Sequence, residues 1–340
     1  MKRQIILVLG FSILFTLSCF FPSVIGFSLE CEGIYSNKSD SQPIGAVVIV
    51  DDEGDGDFVR IQDALNYSNP GDTIEVYSGT YYEHGVNMVK ESITLQGIPY
   101  ELGSGHDTGK PFIDGQGIEE TILIKAGNIV IDSFRIENKG PSSNGILALY
   151  KESYNCVISN NDLFDSSAAL IWCAGSNTKI FNNNISHNFI RQGIVLYEPG
   201  HHNTIISNVI SDVVTGILCW NSNHNSITGN KISKCSRFGL DIAGSQYNTV
   251  KGNTFEDNTV GVHIYYGVGS WIKNNNLINN QIHAQFEYGI PPFWVLLNRW
   301  NGNYWGEPRS SPYPIWGTYF IFPWVQFDWF PAKEPNEIEV

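Results

Sequence analysis

Seven copies of one short phrase between Ile131 and Leu277 limit what this 340-residue chain can fold into. Each copy reads apolar, two variable residues, usually Asn, one more residue, then apolar. The copies open at Ile131, Ile158, Ile180, Ile205, Ile227, Val250 and Ile272, giving steps of 27, 22, 25, 22, 23 and 22 residues. In the last six the Asn is Asn161, Asn183, Asn208, Asn230, Asn253 and Asn275, and the closing apolar residue is Leu163, Ile185, Ile210, Ile232, Phe255 and Leu277. The first copy, Ile131-Asp132-Ser133-Phe134-Arg135-Ile136, carries Phe where the others carry Asn. Self-similarity at this period means a stacked architecture.

The period and the pattern decide which one. Leucine-rich repeats need several fixed Leu per unit, which are absent, and helical repeats are longer with apolar spacings of three and four. Here each unit holds a second alternating run, as in Gly193-Ile194-Val195-Leu196-Tyr197 and Gly261-Val262-His263-Ile264-Tyr265. Period-two alternation broken by Gly, Asn and Ser reads as short strands joined by tight turns. Coils of 22–25 residues holding two or three such strands predict an all-β solenoid, a parallel β-helix, with equivalent residues stacked roughly 4.8 Å apart. The Asn column then sits at a turn, where Asn tolerates left-handed backbone geometry and its amide can bond to the amide of the next coil.

Residues 1–26 read as a signal peptide: Met1-Lys2-Arg3, an apolar run from Ile5 to Phe21, then a small-residue end near Gly26. An uncleaved anchor and lipidation at Cys19 are the other readings, and a membrane contact is expected only through this segment. Residues 27–45 are a polar spacer, 46–130 the opening coils, 131–289 the regular coils and 290–340 an aromatic tail. Phe58 to Leu65 has helical spacing, with Asp57 able to cap it, and predicts a short lid on the exposed end of the solenoid. A net charge of −14 disfavours nucleic acid as a partner. Cys31, Cys156, Cys173, Cys219 and Cys235 are odd in number with no CxxC pair, so neither a disulfide scaffold nor a zinc site is expected.

A resemblance to known proteins enters through the opening coils. Gly56-Asp57-Phe58-Val59-Arg60-Ile61-Gln62-Asp63-Ala64, Gly71-Asp72-Thr73-Ile74-Glu75-Val76, Gly79-Thr80-Tyr81-Tyr82-Glu83 and Ile93-Thr94-Leu95-Gln96-Gly97 resemble the start of pectin methylesterases and NosD-type proteins. The Asn-bearing coils and Asn301-Gly302-Asn303-Tyr304-Trp305 resemble the NosD-type, carbohydrate-binding and sugar-hydrolase repeat of the pectin lyase-like superfamily. The resemblance, together with the crossover bias of parallel strands, implies a right-handed β-helix. It implies less about function: some members act on polysaccharides, some are surface proteins, and the founding branch assists copper-enzyme maturation in the periplasm.

No complete pectin methylesterase, polygalacturonase or pectate lyase set is found. Asp241 lies in Gly239-Leu240-Asp241-Ile242-Ala243, but the matching positions one coil away are Leu218 and His263, so the partner carboxylate is missing. Asp241 and His263 fall within reach as an acid/base pair, although two solvated strand residues are the simpler expectation. If Ile194 and Leu196 face the core, the same register exposes Leu147 and Leu149, Leu170 and Trp172, Val195 and Tyr197, Leu218 and Trp220, Asp241 and Ala243, and His263 and Tyr265. Trp172, Tyr197, Trp220 and Tyr265 then form an outer aromatic strip. Either the tail, with Phe293, Trp294, Trp300, Tyr304, Trp305, Trp316, Phe320, Phe322, Trp324, Phe327 and Trp329, folds back over it, or the strip stacks on sugar rings of an extended glycan.

Two stretches offer metal ligands. His202 and His224 precede equivalent Asn residues and should stack on adjacent turns, with His201 beside them, within reach of copper or zinc. The same column holds Tyr154, Ser176 and Tyr247 elsewhere, which favours plain turn residues. The acidic run Asp51 to Asp57 offers oxygen ligands for calcium, without EF-hand spacing, and reads first as the turn into the lid helix. The sequence thus points to a secreted, periplasmic or surface-held monomer that binds an extracellular glycan or cell-surface polymer without turning it over. A polysaccharide-active enzyme and a copper-handling accessory are the alternatives.

Overall fold

The structure, a computed structural model, describes residues 45–103, 105–140, 145–289 and 298–338. The signal-peptide and spacer expectations, together with Cys19, Cys31, Phe293 and Trp294, fall outside these residues. The described chain is a right-handed parallel β-solenoid of about ten coils with one helix. Three columns of parallel strands form its faces. On the first face Val48, Ile74, Leu95, Ile131, Ile158, Ile180, Ile205, Ile227, Val250, Ile272 and Trp300 pair in sequence and fill the core. The second face stacks Tyr81, Ile113, Ile136, Leu163, Ile185, Ile210, Ile232, Phe255 and Leu277. The third turns inward two residues per coil, among them Ile171 and Cys173, Ile194 and Leu196, and Ile217 and Cys219. The apolar residues that open and close the repeat phrase are therefore the cores of the first and second faces.

Each corner between faces is built the same way: one residue in left-handed geometry, then one whose side chain turns inward. At the first corner the left-handed residue is Asn160, Asn182, Ser207, Gly229, Gly252, Asn274 or Gly302, with φ between 53° and 68°. The repeat Asn follows it, so the left-handed geometry lies one position earlier than expected. The Asn itself is buried and makes the ladder. The Asn208 backbone N–H and Nδ2 both donate to Asn230 Oδ1, at 2.9 and 3.0 Å, and Asn230 repeats this with Asn253 Oδ1. Asn230 Nδ2 also reaches the carbonyls of Ile205 and Thr228. The ladder begins where Asn161 Oδ1 accepts the N–H of Phe134, whose buried ring occupies the first rung. It ends at Asp328, which takes N–H groups from Gly302, Asn303, Trp305 and Phe330.

The two ends are closed differently. The N-terminal helix spans Ile61–Tyr67, starting later than its spacing suggested, and buries Ile61, Ala64 and Leu65 on the first coils. Asp57 does not cap it; its carboxylate accepts the N–H of Ile49 instead. The buried Glu83 takes the helix N–H groups of Ile61 and Gln62, while Lys90 Nζ donates to the carbonyls of Leu65, Asn66 and Ser68. Each charge thus sits at the dipole end that favours it, supplied by a later turn that local pattern could not connect to the helix. At the other end Trp300 and Trp305 enter the core, and Trp305 stacks on Tyr313 at 4.0 Å. Tyr313–Tyr319 then pairs parallel with Ile282–Tyr288 and antiparallel with Phe322–Asp328. The tail is a terminal hairpin. Its described end reaches back to the preceding coil, where Asn336 bonds to Asn275 and Asn276.

Asn230→Leu leaves the Asn208 backbone N–H without its acceptor in a dry interior. It is expected to lower stability by about 1–3 kcal/mol, the cost of one orphaned buried group, read as a fall in denaturation midpoint. A second expectation concerns acid. Burial holds the imidazole of His283 below its ordinary value, outweighing Glu307, and Arg309 lowers it further. The fold therefore favours neutral His283, so stability is full above about pH 6.5 and falls as pH drops through the depressed value. The loss in Tm between about pH 7 and pH 5 should shrink in His283→Gln.

Candidate functional site

The outward side of the third face carries two parallel columns. In one, Ala148, Trp172, Val195, Leu218, Asp241, His263 and Gln285 are register partners on successive coils. In the other, two residues along, Tyr197 pairs with Trp220 and Trp220 with Ala243, while Tyr265 pairs with Glu287. Trp172 is thus one column away from the other three aromatic residues. Its ring still joins them, 5.8 Å from Tyr197 and 5.7 Å from Tyr150, a residue the sequence reading missed. Leu147, Leu149 and Leu170 are buried, against the expectation that they face out. On those coils Ala148 and Trp172 take the outward positions.

The aromatic strip is open. Tyr197, Trp220 and Tyr265 are 36%, 46% and 42% exposed, and Tyr266 stands edge-on to Tyr265 at 4.3 Å. The expected coverage by the tail fails because that hairpin extends the end of the solenoid. Beside Tyr197 lies an open recess of about 630 Å³ lined by Glu198, Pro199, His201, Asn221, Asn223 and Gly244. The repeat phrase gave no sign of it, because it is assembled from corner residues of neighbouring coils.

Asp241 and His263 do meet. Asp241 Oδ1 lies 2.8 Å from His263 Nδ1, and neither side chain is solvated: 15% and 7% exposed. Phe238 stacks on the imidazole at 4.4 Å, and His263 Nε2 is buried without a hydrogen-bond partner, 3.9 Å from Glu287. The pair has the contact an acid/base couple needs, but its free nitrogen faces no open space.

His202 and His224 stack as the spacing suggested, 5.1 Å apart and 10° from parallel, and Tyr247 continues the stack at 5.2 Å. All three occupy left-handed corner positions, where His is enriched. His201 Nδ1 accepts the N–H of Asn223, and burial, then the neighbouring His202 and His224, hold its imidazole below the ordinary value.

These features define a right-handed parallel β-helix protein with an open aromatic face and closed ends. A family model described as periplasmic copper-binding protein (NosD) matches residues 105–310, more than half of the chain. The chain belongs to the NosD family. Comparison with curated proteins gave no match. Among solved structures, the complex of XylC with xylose superposes with a TM-score of 0.57 at 13% identity, over 84% of this chain and 73% of that one. The catalytic unit of a GH87 alpha-1,3-glucanase from Streptomyces thermodiastaticus strain HF3-3 gives 0.54 at 13%, over 74% and 56%. At these identities the likeness is one of fold.

Copper fits the described residues poorly. Copper favours imidazole, thiolate and thioether donors. Cys156, Cys173, Cys219 and Cys235 are buried and unpaired, and burial pushes the thiols of Cys173, Cys219 and Cys235 up to about 12. Among the described residues, groups of three His, Cys, Asp or Glu with donor atoms within 4.8 Å of one another are Asp51, Asp52 and Glu53, and Glu53, Glu101 and Asp107. His201, His202 and His224 do not form one. In the acidic cluster, hydrogen bonding to Asp52, then desolvation and the charges of Asp52 and Glu101, push the Glu53 carboxyl up to about 7.

Asp241→Ala strips His263 of its partner inside a dry pocket. It is expected to cost about 1–3 kcal/mol, measured by denaturation, which marks the pair as part of the fold.

Proposed function

We propose that this protein is an extracytoplasmic, non-catalytic β-helix that binds an extended glycan along its third face. The observation that carries the reading is the open run of rings Trp172, Tyr197, Trp220, Tyr265 and Tyr266, with Tyr150 at its edge. Trp172 and Tyr197 stand 5.8 Å apart, Ala243 leaves a one-coil gap between Trp220 and Tyr265, and each ring offers an apolar face to a sugar while the recess beside Tyr197 offers a carboxylate and amides to hydroxyl groups. The net charge of −14 favours neutral over anionic polymers. The basic-then-apolar N-terminus and the family's periplasmic description support a place outside the cytoplasm.

Affinity electrophoresis of the protein through gels containing neutral glucans or xylan tests this. Trp220→Ala should weaken retardation roughly tenfold, equivalent to about 1.4 kcal/mol, with the unfolding midpoint nearly unchanged because the ring is half exposed. Absence of retardation by every glycan tried would sink the reading. The hydrogen-bonded Asp241–His263 pair favours a second reading, a polysaccharide-active enzyme. We expect no turnover in a broad polysaccharide screen; activity that disappears in Asp241→Asn would put catalysis in place of binding.

A further inference from the structure

The acidic turn at the N-terminal end carries a feature that neither the glycan face nor the helix lid uses. Asp51 is 0% exposed, and its Oδ1 has no hydrogen-bond partner. Its Oδ2 accepts the N–H of Asp55. Asp52 repeats the asymmetry: Oδ2 accepts the N–H of Thr80, while Oδ1 is buried and unpartnered. A buried carboxylate oxygen without a donor is costly. Such oxygens call for a compensating charge.

None is supplied by the described residues. Among the described residues no Lys, Arg or His bridges Asp51, Asp52, Glu53, Glu101 or Asp107. The loop after the strand Thr94–Gly97 instead adds carboxylates to those of the turn after Val47–Val50. Oxygens of Asp51, Asp52 and Glu53 lie within 4.8 Å of one another, as do those of Glu53, Glu101 and Asp107, so Glu53 joins the two groups. Glu101 accepts the N–H groups of Leu102 and Asp107, which fixes its orientation and leaves lone pairs free.

We propose that this cluster is a binding site for a hard divalent cation, calcium in particular, held by Asp51, Asp52 and Glu53 and closed from the other side by Glu101 and Asp107. All-oxygen ligands at flexible spacing suit calcium, which takes six to eight oxygens and accepts water among them. The same set disfavours copper. The ion joins the turn that follows the first strand to a loop about fifty residues later, fastening the end of the solenoid that carries the lid helix.

Calcium titration of the full chain by calorimetry, with melting in calcium and in EDTA, tests the site. Saturable binding is expected with Kd in the range of about 10⁻⁴–10⁻³ M, as for extracellular calcium modules, with a Tm higher in calcium than in EDTA. Glu53→Gln with Glu101→Gln alters exposed or half-exposed groups, so the variant should keep its circular dichroism while losing at least about tenfold in affinity and most of the Tm shift. Asp107→Asn should give a smaller loss in the same direction. Absence of binding up to roughly tenfold above that millimolar limit, or binding unchanged in the double variant, would overturn the proposal.

Discussion

A buried asparagine amide can be kept in a dry interior only if its donors and its acceptor are all used, and this fold turns that constraint into its organising element. Asn161, Asn183, Asn208, Asn230, Asn253, Asn275 and Asn303 each donate both a backbone N–H and a side-chain N–H to the next member of the series or to its end. Parallel columns run at the other corners, through Asn203, Asn225, Asn248, Ser270 and Asn298, and through Asn258 and Asn280. Coil height and register follow from these columns. The strands between corners need only a few residues each, because the corner bonds already hold adjacent coils in step.

That rigidity makes the outer surface useful. A side chain pointing away from the core keeps the same azimuth from coil to coil, so aromatic residues at matching positions become a row with fixed spacing. The open row on the third face sets exposed rings along that exterior. The NosD family's copper description finds no counterpart in a histidine or cysteine group among the described residues. The clustered donors are carboxylates, and they lie at the N-terminal end.

Much of the fold was legible because the repeat phrase records the inside of the solenoid. Ile131 and its six successors are register partners, and Phe134 in the first copy is the rung where the ladder starts. The outside was harder to read. Extrapolating outward positions from Ile194 and Leu196 placed Leu147, Leu149 and Leu170 in solvent, because the span from first to third face differs between coils: Ile131 to Leu147, Ile158 to Ile171 and Ile180 to Ile194 are 16, 13 and 14 residues apart. The cap of the lid helix was unreadable for another reason: Glu83 and Lys90 are remote in sequence, and local spacing offered only Asp57. The tail was misjudged on composition. Many aromatic residues said that something is covered, but only the pairing with Ile282–Tyr288 shows that it is the end of the stack. The meeting of Asp241 and His263 was foreseen, whereas their burial under Phe238 was not.

The ladder also has a polarity, and its last member gives that polarity a meaning. Every Asn in the column hands its backbone N–H and one amide N–H toward the C-terminal end, so a further coil could join only by offering acceptors there and donors in turn. Asp328 offers acceptors alone. A carboxylate has nothing to pass on, so it stops the relay where an asparagine would have left it open to another chain. Solenoids share their geometry with cross-β fibres, and an end that can be copied is a seed. In this protein the relay therefore ends on an acid, held in the hairpin that closes the last coil.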